Sequence, residues 1–484
     1  MCAPPPVKPI QAVISRLVPQ ATVQQIQVMP SVHCQRVYGV KVSNGTSLVL
    51  VVPPPPMVKL LRSERASVIS EAAVLKWLAG MTVEQPLLQE RTSEPDDLLE
   101  PSSNLAKGTK GDGSSLDNAV EEFRALIPRL ISHTAALNEL GLEYNLLKPT
   151  RGTPISELNP PLAPSERRTI DYQIGQLYRQ LCKQVSPNGR FGPAFAVLPS
   201  TGSLSTTDPT KLARRDVDMR LMESKGVQSW TTAFHSMLEA VLRDGEDMQV
   251  MLGYGTIRRH FKRLEHTLDG IKIPRLVAVD VGRDINTLAL RKLRRGSTAS
   301  FASGKPNSAL KDVPRSNGSE AGSDEDADYE TGSESGDAAT AALYHHDDIM
   351  MTGMKDWSNF VFGDPLFAHN FGRDPSSDFL AGFGGDSRVQ GTIKSIFSSD
   401  MIEDKERAHV RLLLYDCYHT VTHIAKGYFR PQKDSHGREL EARKRLNAIM
   451  AQLDALDDTG VRRGRRPSGE LSPVKRSKSG GKDD

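Results

Sequence analysis

Cysteine is scarce in this chain of 484 residues, with only Cys2, Cys34, Cys182 and Cys417, all far apart. Such spacing excludes a disulfide scaffold and a CxxC metal ribbon, and it is typical of a reducing compartment. The first residues, MCAPPPVKP, lack the charged-then-apolar pattern of a signal peptide. We therefore expect an intracellular, cytoplasmic protein.

Long apolar runs and an excess of one charge are also missing. No stretch approaches the roughly 20 apolar residues of a membrane span, so we expect no membrane partner. The 62 basic and 59 acidic residues leave a net charge of +3, which excludes a globally basic nucleic-acid coat. A nucleic-acid partner is therefore unlikely on charge grounds alone.

Three segments lack the apolar periodicity that a folded core needs. Residues 82–120 and the acidic, Ser- and Gly-rich residues 296–343 are predicted to be disordered insertions. Residues 459–484 are predicted to be a disordered basic tail. Two clusters of bases in that tail are compatible with a nuclear import signal or with a solubilising tail. Short strings in these segments resemble phosphorylation sites for other kinases.

The remaining sequence predicts strands first and helices later. Arg36–Val42 and Ser47–Val52 alternate like strands, and Asn44-Gly45 between them predicts a hairpin. A helix that contains Glu71 follows, and then a short strand over Leu142–Leu147. Helical periodicity dominates afterwards, with its clearest case at Trp230–Asp247. This order predicts an α+β fold with a small β-rich lobe followed by a larger α-rich lobe.

Five segments carry a resemblance to a known family. They are RVYGVKVSNGTSLVLVVPPPP (36–56), SEAAVLKWL (70–78), LEYNLLKPTRGTPISEL (142–158), PRLVAVDVGRDINTLAL (274–290) and MTGMKDWSNFVFGDPLF (351–367). In this order they resemble the aminoglycoside phosphotransferase-like family, the small-molecule branch of the protein-kinase-like fold. The resemblance implies an N-lobe over residues 10–148 and a C-lobe over residues 149–458.

The same resemblance implies ATP and Mg²⁺ as cofactors and assigns roles to individual residues. Asp356, before Trp357, corresponds to the metal-binding aspartate, and Asn286 to the second metal ligand. Asp280 is the candidate catalytic carboxylate, with Asp284 as the weaker choice. Glu71 and Leu147, the latter in the hinge-like segment, are the candidate cofactor-binding residues. These groups suit phosphoryl transfer, in which positioning and charge neutralisation do most of the work.

The sequence departs from the family pattern at two places. Asn286 follows Asp280 by six residues instead of five, and no histidine precedes the aspartate. The phosphate-pairing lysine is missing, because Val51 stands where it is expected. Lys41, Lys59 or Arg62 are candidate substitutes. A buried Glu71 without a cation must raise its pKa or find another basic partner.

Two functions from different classes remain open. One is an ATP- and Mg²⁺-dependent phosphotransferase acting on a small-molecule hydroxyl, and the other is a pseudokinase that binds or scaffolds a protein partner. A nuclear adaptor that acts through its tails ranks below both. Outside its loops the chain has no acidic cluster for a polycationic acceptor, so aminoglycoside resistance is not predicted.

Overall fold

The computed structural model describes residues 7–18, 20–84, 120–134, 140–199, 226–291, 349–384 and 399–462. The predicted disordered insertions and basic tail lie almost wholly outside these residues. The helices are α1 (Val7–Leu17), α2 (Ser67–Glu84), α3 (Pro164–Cys182), α4 (Ala194–Val197), α5 (Trp230–Asp247), α6 (Tyr254–Leu264), α7 (Ser377–Gly384), α8 (Ala408–Phe429) and α9 (Ser435–Asp454).

The strands group into one larger and two small sheets. They are β1 (Val23–Met29), β2 (Arg36–Val42), β3 (Ser47–Val52), β4 (Arg129–Thr134), β5 (Tyr144–Lys148), β6 (Thr153–Pro154), β7 (Gly192–Pro193), β8 (Arg275–Ala278), β9 (Thr287–Arg291), β10 (Ile349–Met354) and β11 (Phe360–Gly363). The larger sheet is antiparallel, in the order β1-β2-β3-β5-β4. Strands β4 and β11 have no counterpart in the sequence-based prediction.

The predicted hairpin joins β2 to β3. Lys41 pairs with Ser47, and Gly45 in the turn has a φ of +79°, which glycine adopts without strain. Alternation then gives the sheet two buried faces. Tyr38, Leu50 and Leu146 belong to a small core that includes residues of α1, whereas β3 and β5 turn Val51 and Leu147 towards the main core, to which α2 contributes.

The later part of the chain forms a helical region around an aromatic core. Trp230 and Phe234 of α5 pack against Phe367 and Tyr415, with ring centroids 5.2–6.2 Å apart. Gly363 is required beside Trp230, because an added Cβ would lie 2.2 Å from the indole ring. The region thus packs tightly up to the end of β11.

A buried ion pair anchors the Gly-Asp-Pro segment to this core. Asp364 accepts hydrogen bonds from Arg411 Nε at 2.7 Å and from the Tyr415 hydroxyl at 2.8 Å. Both charged side chains are fully inaccessible to solvent. Asp364 is therefore a structural residue that ties β11 to α8.

The two small sheets lie where the β-rich and helical regions meet, with strand orders β10-β9-β6 and β7-β11-β8. Asp280 follows β8, Asn286 precedes β9, and Asp356 follows β10. The predicted α+β class, β-rich first and helical later, is confirmed. In the described ranges no helix is long and apolar enough to span a membrane.

Candidate active site

Asp280 lies at the turn after β8 and is almost fully buried, with 8% of its surface exposed. One carboxylate oxygen pairs with Arg283 Nη1 at 3.0 Å. The other accepts from Asn359 Nδ2 and pairs with His33 Nε2 at 3.1 Å. Burial alone would raise the pKa of Asp280, but the charges of His33 and Arg283 and the hydrogen bond from His33 hold it well below its usual range. Asp280 is therefore an ionised carboxylate inside the cleft.

Asn286 and Asp356 are in direct contact. The Asp356 backbone N–H donates to Asn286 Oδ1 at 2.9 Å, and Asn286 Nδ2 donates to the Asp356 carbonyl at 3.5 Å. Asp356 Oδ1 accepts from the Ser358 backbone N–H at 2.8 Å and from the Ser358 hydroxyl at 2.6 Å. These bonds fix the turn after β10 and place a carboxylate and an amide oxygen side by side.

His33 connects the two aspartates and was not predicted from the sequence. It lies in the turn between β1 and β2, and only 9% of its side chain is exposed. Burial lowers the pKa of His33, but the nearby negative charges of Asp356 and Asp280 outweigh that effect and raise it. The structure therefore joins Asn286 to Asp356 directly and places Asp280 nearby, since Asp280 bonds Asn359, three residues after Asp356, and the charges of both aspartates act on His33.

Glu71 is the fourth predicted site residue, and it is buried in α2 with 2% exposure. Asn145 Nδ2 donates to Glu71 Oε2 at 2.9 Å, and the Trp357 backbone N–H also bonds this carboxyl. Burial, followed by the charge of Asp356, raises the pKa of Glu71 to about 8. A raised pKa, and not a new basic partner, is thus the outcome for this buried glutamate without a cation.

The strand register explains why an amide, and not a lysine, meets Glu71. Val51 of β3 pairs directly with Asn145 of β5, so the two side chains share the sheet face that α2 covers. Asn145 is held in turn by His133, whose Nδ1 lies 2.7 Å from Asn145 Oδ1. Asn145 thus stands beside the position of the missing lysine and gives Glu71 a neutral partner.

The three cations considered as substitutes do not reach Glu71, so that expectation was wrong. Arg62 pairs with Asp244 at 2.5 Å and with Asp247 at 2.8 Å. Lys59 Nζ lies 3.8 Å from Met248 Sδ, and Lys41 is exposed near the end of β2. The hairpin and the chain after the prolines direct these side chains elsewhere.

Leu147, the predicted hinge residue, lies inside β5 and is 3% exposed. It pairs with Val49 and Leu130 and faces the main core. Its side chain is a packing residue in this structure, and its role in cofactor binding stays a prediction.

Lys355 is a second residue that the sequence analysis missed. Its side chain is 10% exposed, and Nζ has no hydrogen-bond acceptor among the described residues. The Glu157 carboxylate lies 3.9 Å from Nζ. Burial lowers the pKa of Lys355, opposed by the charges of Glu157 and Asp356. The sequence did contain one signal for Lys355, because this residue directly precedes the predicted metal ligand Asp356.

Two hydroxyl groups near Lys355 are also buried without a partner among the described residues, Thr150 Oγ1 and Thr352 Oγ1. Each lies close to a glycine of the facing segment. An added Cβ would lie 3.3 Å from Thr150 Oγ1 at Gly353 and would clash with Thr352 Oγ1 at Gly152. The contact between the Thr150–Gly152 segment and β10 therefore contains buried polar groups that no described residue hydrogen-bonds.

On the other side of Asp280, a cavity of about 1190 Å³ opens between the β1–β2 turn, α5 and α8. Its lining includes His33, Asp280 and Arg283 together with Lys426 of α8. The described residues contain no group of three or more His, Cys, Asp or Glu side chains that could hold a metal ion alone. A metal at Asp356 would need oxygen ligands from a bound molecule.

Solved structures similar to this chain are small-molecule phosphotransferases. They include a putative aminoglycoside phosphotransferase from Ralstonia eutropha JMP134, with 8% identity and a TM-score of 0.45 over 93% of this chain and 98% of that chain. The GDP complex of aminoglycoside 2′-phosphotransferase-IIIa has 10% identity and a TM-score of 0.41, over 91% of this chain and 97% of that chain. A type I macrolide 2′-phosphotransferase has 12% identity and a TM-score of 0.32, over 93% of this chain and 97% of that chain.

No protein-family model and no curated protein sequence matches the chain. Each of these structures is less than 25% identical and has a TM-score below 0.5, so this likeness carries no conclusion about the chain.

Proposed function

We propose that the protein is an ATP- and Mg²⁺-dependent phosphotransferase that acts on a small-molecule hydroxyl. The observation that supports it is the meeting of Asp280, Asn286 and Asp356 beneath the β1–β2 turn, although 76 residues of sequence separate the first from the last. Phosphoryl transfer needs such a meeting of oxygen ligands with a carboxylate that orients the acceptor.

The donor set beside Asn286 fits a magnesium ion. Mg²⁺ in phosphoryl-transfer sites takes one or two carboxylates together with substrate phosphates, and not a closed protein cage. Asp356 supplies a carboxylate and Asn286 an amide oxygen with a second lone pair. When bound, the ion would neutralise charge on the phosphates.

Asp280 orients the acceptor hydroxyl and receives its proton. The hydroxyl oxygen forms a bond to the γ-phosphorus of ATP, the bond from that phosphorus to the bridging oxygen breaks, and ADP leaves. His33 must withdraw from Asp280 first, because it pairs with the carboxylate oxygen that Arg283 leaves open.

Lys355 is the cation that we assign to the nucleotide phosphates in place of a lysine at Val51. A buried ammonium without an acceptor is costly, and a phosphate beside Asp356 would supply one. The unpaired hydroxyls of Thr150 and Thr352 are on the same junction and would gain acceptors or donors from a polar ligand.

The experiment is a thermal unfolding series with ATP, with Mg²⁺ and with both. A ligand at a hundredfold excess over its dissociation constant stabilises a protein by about 2.7 kcal/mol. We expect a rise in Tm with both ligands that is lost in Asp356→Ala and reduced in Lys355→Met. Without ligands, Lys355→Met should unfold at a temperature no lower than that of the wild type, since it removes a largely buried ammonium that makes no hydrogen bond among the described residues and only a long ion pair, 3.9 Å, with Glu157.

Lys272→Met is the control, because Lys272 is exposed and does not line the cavity. It should leave both the intrinsic Tm and the ligand response unchanged. No response of the wild type at millimolar ATP and Mg²⁺ would reject the proposal.

A pseudokinase is the second candidate, and two observations favour it. Glu71 has a neutral amide as its partner instead of a lysine, and Asp280 is bound by His33 and Arg283. A general base works best with a pKa near the operating pH, and these cations move the pKa of Asp280 away from it. Nucleotide binding without turnover of any hydroxyl acceptor would support this candidate over the first.

A further inference from the structure

Helix α8 presents three nitrogen-bearing side chains to the cavity at helical spacing. His419, His423 and Lys426 follow one another by four and three residues, so they lie along one side of the helix. Arg373, after β11, and Arg438 of α9 line the same cavity. This side of the cavity is therefore rich in groups that bind anions.

The carboxylates of the cavity are already neutralised. Four of them line it, and each has a basic partner within 3.0 Å: Glu64 with Arg430, Asp244 with Arg62, Asp280 with Arg283 and Glu439 with Arg443. By contrast, neither Arg373 nor Arg438 forms an ion pair within 4.0 Å with any carboxylate in the ranges that the structure describes. The cavity wall thus has an excess of positive charge.

The charges of Arg373 and Arg438, which form no ion pair among the described residues, both act on His423. Burial lowers the pKa of His423, and so do the charges of Arg373, Lys426, Arg438 and Arg283 around it. Arg373 is itself affected, because burial and the charges of Arg445 and Arg283 lower the pKa of its guanidinium, opposed only by Asp416. Like charges held this close repel one another, and an anion among them would relieve the repulsion.

This cluster lies next to the reacting carboxylate. The rings of His369 and His419 stack with centroids 5.1 Å apart, and both histidines feel the charge of Asp280. His419 is fixed by a 2.8 Å hydrogen bond between Nε2 and the Phe367 carbonyl. A small molecule could therefore span the distance from the cations to Asp280.

We propose that Arg373, Arg438 and His423 form a subsite for an anionic group, a phosphate or a carboxylate, on the small-molecule acceptor. The subsite holds that group while the acceptor's hydroxyl faces Asp280. The inference rests on the proposed phosphotransferase function and gives it a substrate class, an acidic metabolite. It also accounts for the lack of an acidic pocket that a polycationic acceptor would require.

Calorimetric titration without nucleotide tests this subsite at constant ionic strength. The probes are glucose 6-phosphate, gluconate and uncharged glucose, which share a hydroxylated carbon chain. We expect binding of glucose 6-phosphate, of gluconate or of both, and none of glucose; the stronger of the two anions tells phosphate from carboxylate. The double variant Arg373→Gln/Arg438→Gln should weaken that binding by roughly tenfold or more.

Arg259→Gln is the matched control, because Arg259 is exposed on α6 and does not line the cavity. Both mutated arginines are also surface residues, so the double variant should keep the wild-type Tm. Equal binding of glucose and the anions, no binding of either anion at millimolar concentration, or undiminished binding by the double variant would each overturn the subsite.

The two proposals fail separately. Asp356→Asn should abolish the Tm response to ATP and Mg²⁺ but leave anion binding unchanged. Anion binding in a wild-type protein that ignores ATP and Mg²⁺ would reject the phosphotransferase and keep the subsite as a binding site. A nucleotide response without anion binding would reject the subsite and keep the phosphotransferase proposal.

Discussion

Glu71 and Asp280 are two buried carboxyl groups of one cleft, and their pKa values move in opposite directions. Glu71, on the side of the sheet, has the amide of Asn145 as its partner and the like charge of Asp356 nearby, and its pKa rises to about 8. Asp280, on the side of the helical region, lies between His33 and Arg283, and its pKa falls well below the usual range. The two carboxyl groups are buried to a similar extent, so their neighbouring charges and hydrogen bonds determine the direction of each pKa shift.

The difference separates the two sides of the cleft by charge. The helical side has an ionised carboxylate, Asp280, close to the contact between Asn286 and Asp356. The sheet side has a neutral hydrogen-bonded pair, Glu71 with Asn145, and Lys355, which directly follows β10, has no hydrogen-bond partner among the described residues. The predictions below change one side at a time.

The largest expected effect comes from Asp280→Ala. It leaves the buried His33 without its carboxylate, and removing one partner of a buried ion pair costs about 3–5 kcal/mol. The second partner, Arg283, is 45% exposed and adds less to the loss. The free energy of unfolding in urea at pH 6 measures this loss.

Asp284→Ala is the matched control for that experiment. Asp284 pairs with Arg167 at 2.6 Å, but both side chains are about 40% exposed, so the loss should stay below about 1 kcal/mol. Equal losses in the two variants would show that Asp280 is not held as a buried ionic group.

The sequence predicted the local setting of Asp356 and Asn286, because its signals there are local. Asp356 follows a strand and precedes Trp357, and Asn286 precedes a strand, but their roles came from the family resemblance and stay predictions. The six-residue spacing from Asp280 to Asn286 did not separate them, since the Asn286 backbone N–H bonds the Arg283 carbonyl in a tight turn. The departure from the family spacing is absorbed inside the loop.

The sheet side could not be predicted because its contacts are non-local. Glu71 and Asn145 are 74 residues apart, with strand β4 between them, and only the pairing of β3 with β5 brings Asn145 beside Val51. His33 reaches Asp280 from a turn that carries no glycine-rich signature. Register and loop conformation, not composition, decide both contacts.

The second prediction concerns the sheet side and uses Glu71→Gln. A carboxyl group whose pKa is raised by folding stabilises the protein below its unfolded pKa, near 4.5, and that contribution is lost as the pH rises through about 8. The wild type should therefore lose stability relative to Glu71→Gln between pH 5 and pH 9, on the order of 2 kcal/mol. Urea unfolding of both proteins across this range measures it.

Glu157→Gln is the control, because the Glu157 side chain is 44% exposed and its carboxylate stays in contact with solvent in the folded protein. A wild-type profile that runs parallel to that of Glu71→Gln would mean that Glu71 is ionised at neutral pH. In that case a cation must reach it, and the contrast between the two sides of the cleft would disappear.

The smallest effect is expected from His33→Gln, which tests the link between the two sides. Folding raises the pKa of His33 above its usual 6.5, so the His33–Asp280 pair stabilises the protein fully below that pH and loses its contribution as the pH rises through the folded pKa. The variant should be less stable than the wild type by about 1.5 kcal/mol at pH 5.5, the size of a hydrogen bond to a charged group, and nearly as stable at pH 9. The same substitution removes one of the two partners of Asp280 Oδ2 and leaves the hydrogen bond from Asn359, so ligand access to the cleft should improve at the pH where stability falls. A variant with wild-type stability at pH 5.5 would show that His33 does not close the cleft, and Asp280 would then be accessible without any movement of the β1–β2 turn.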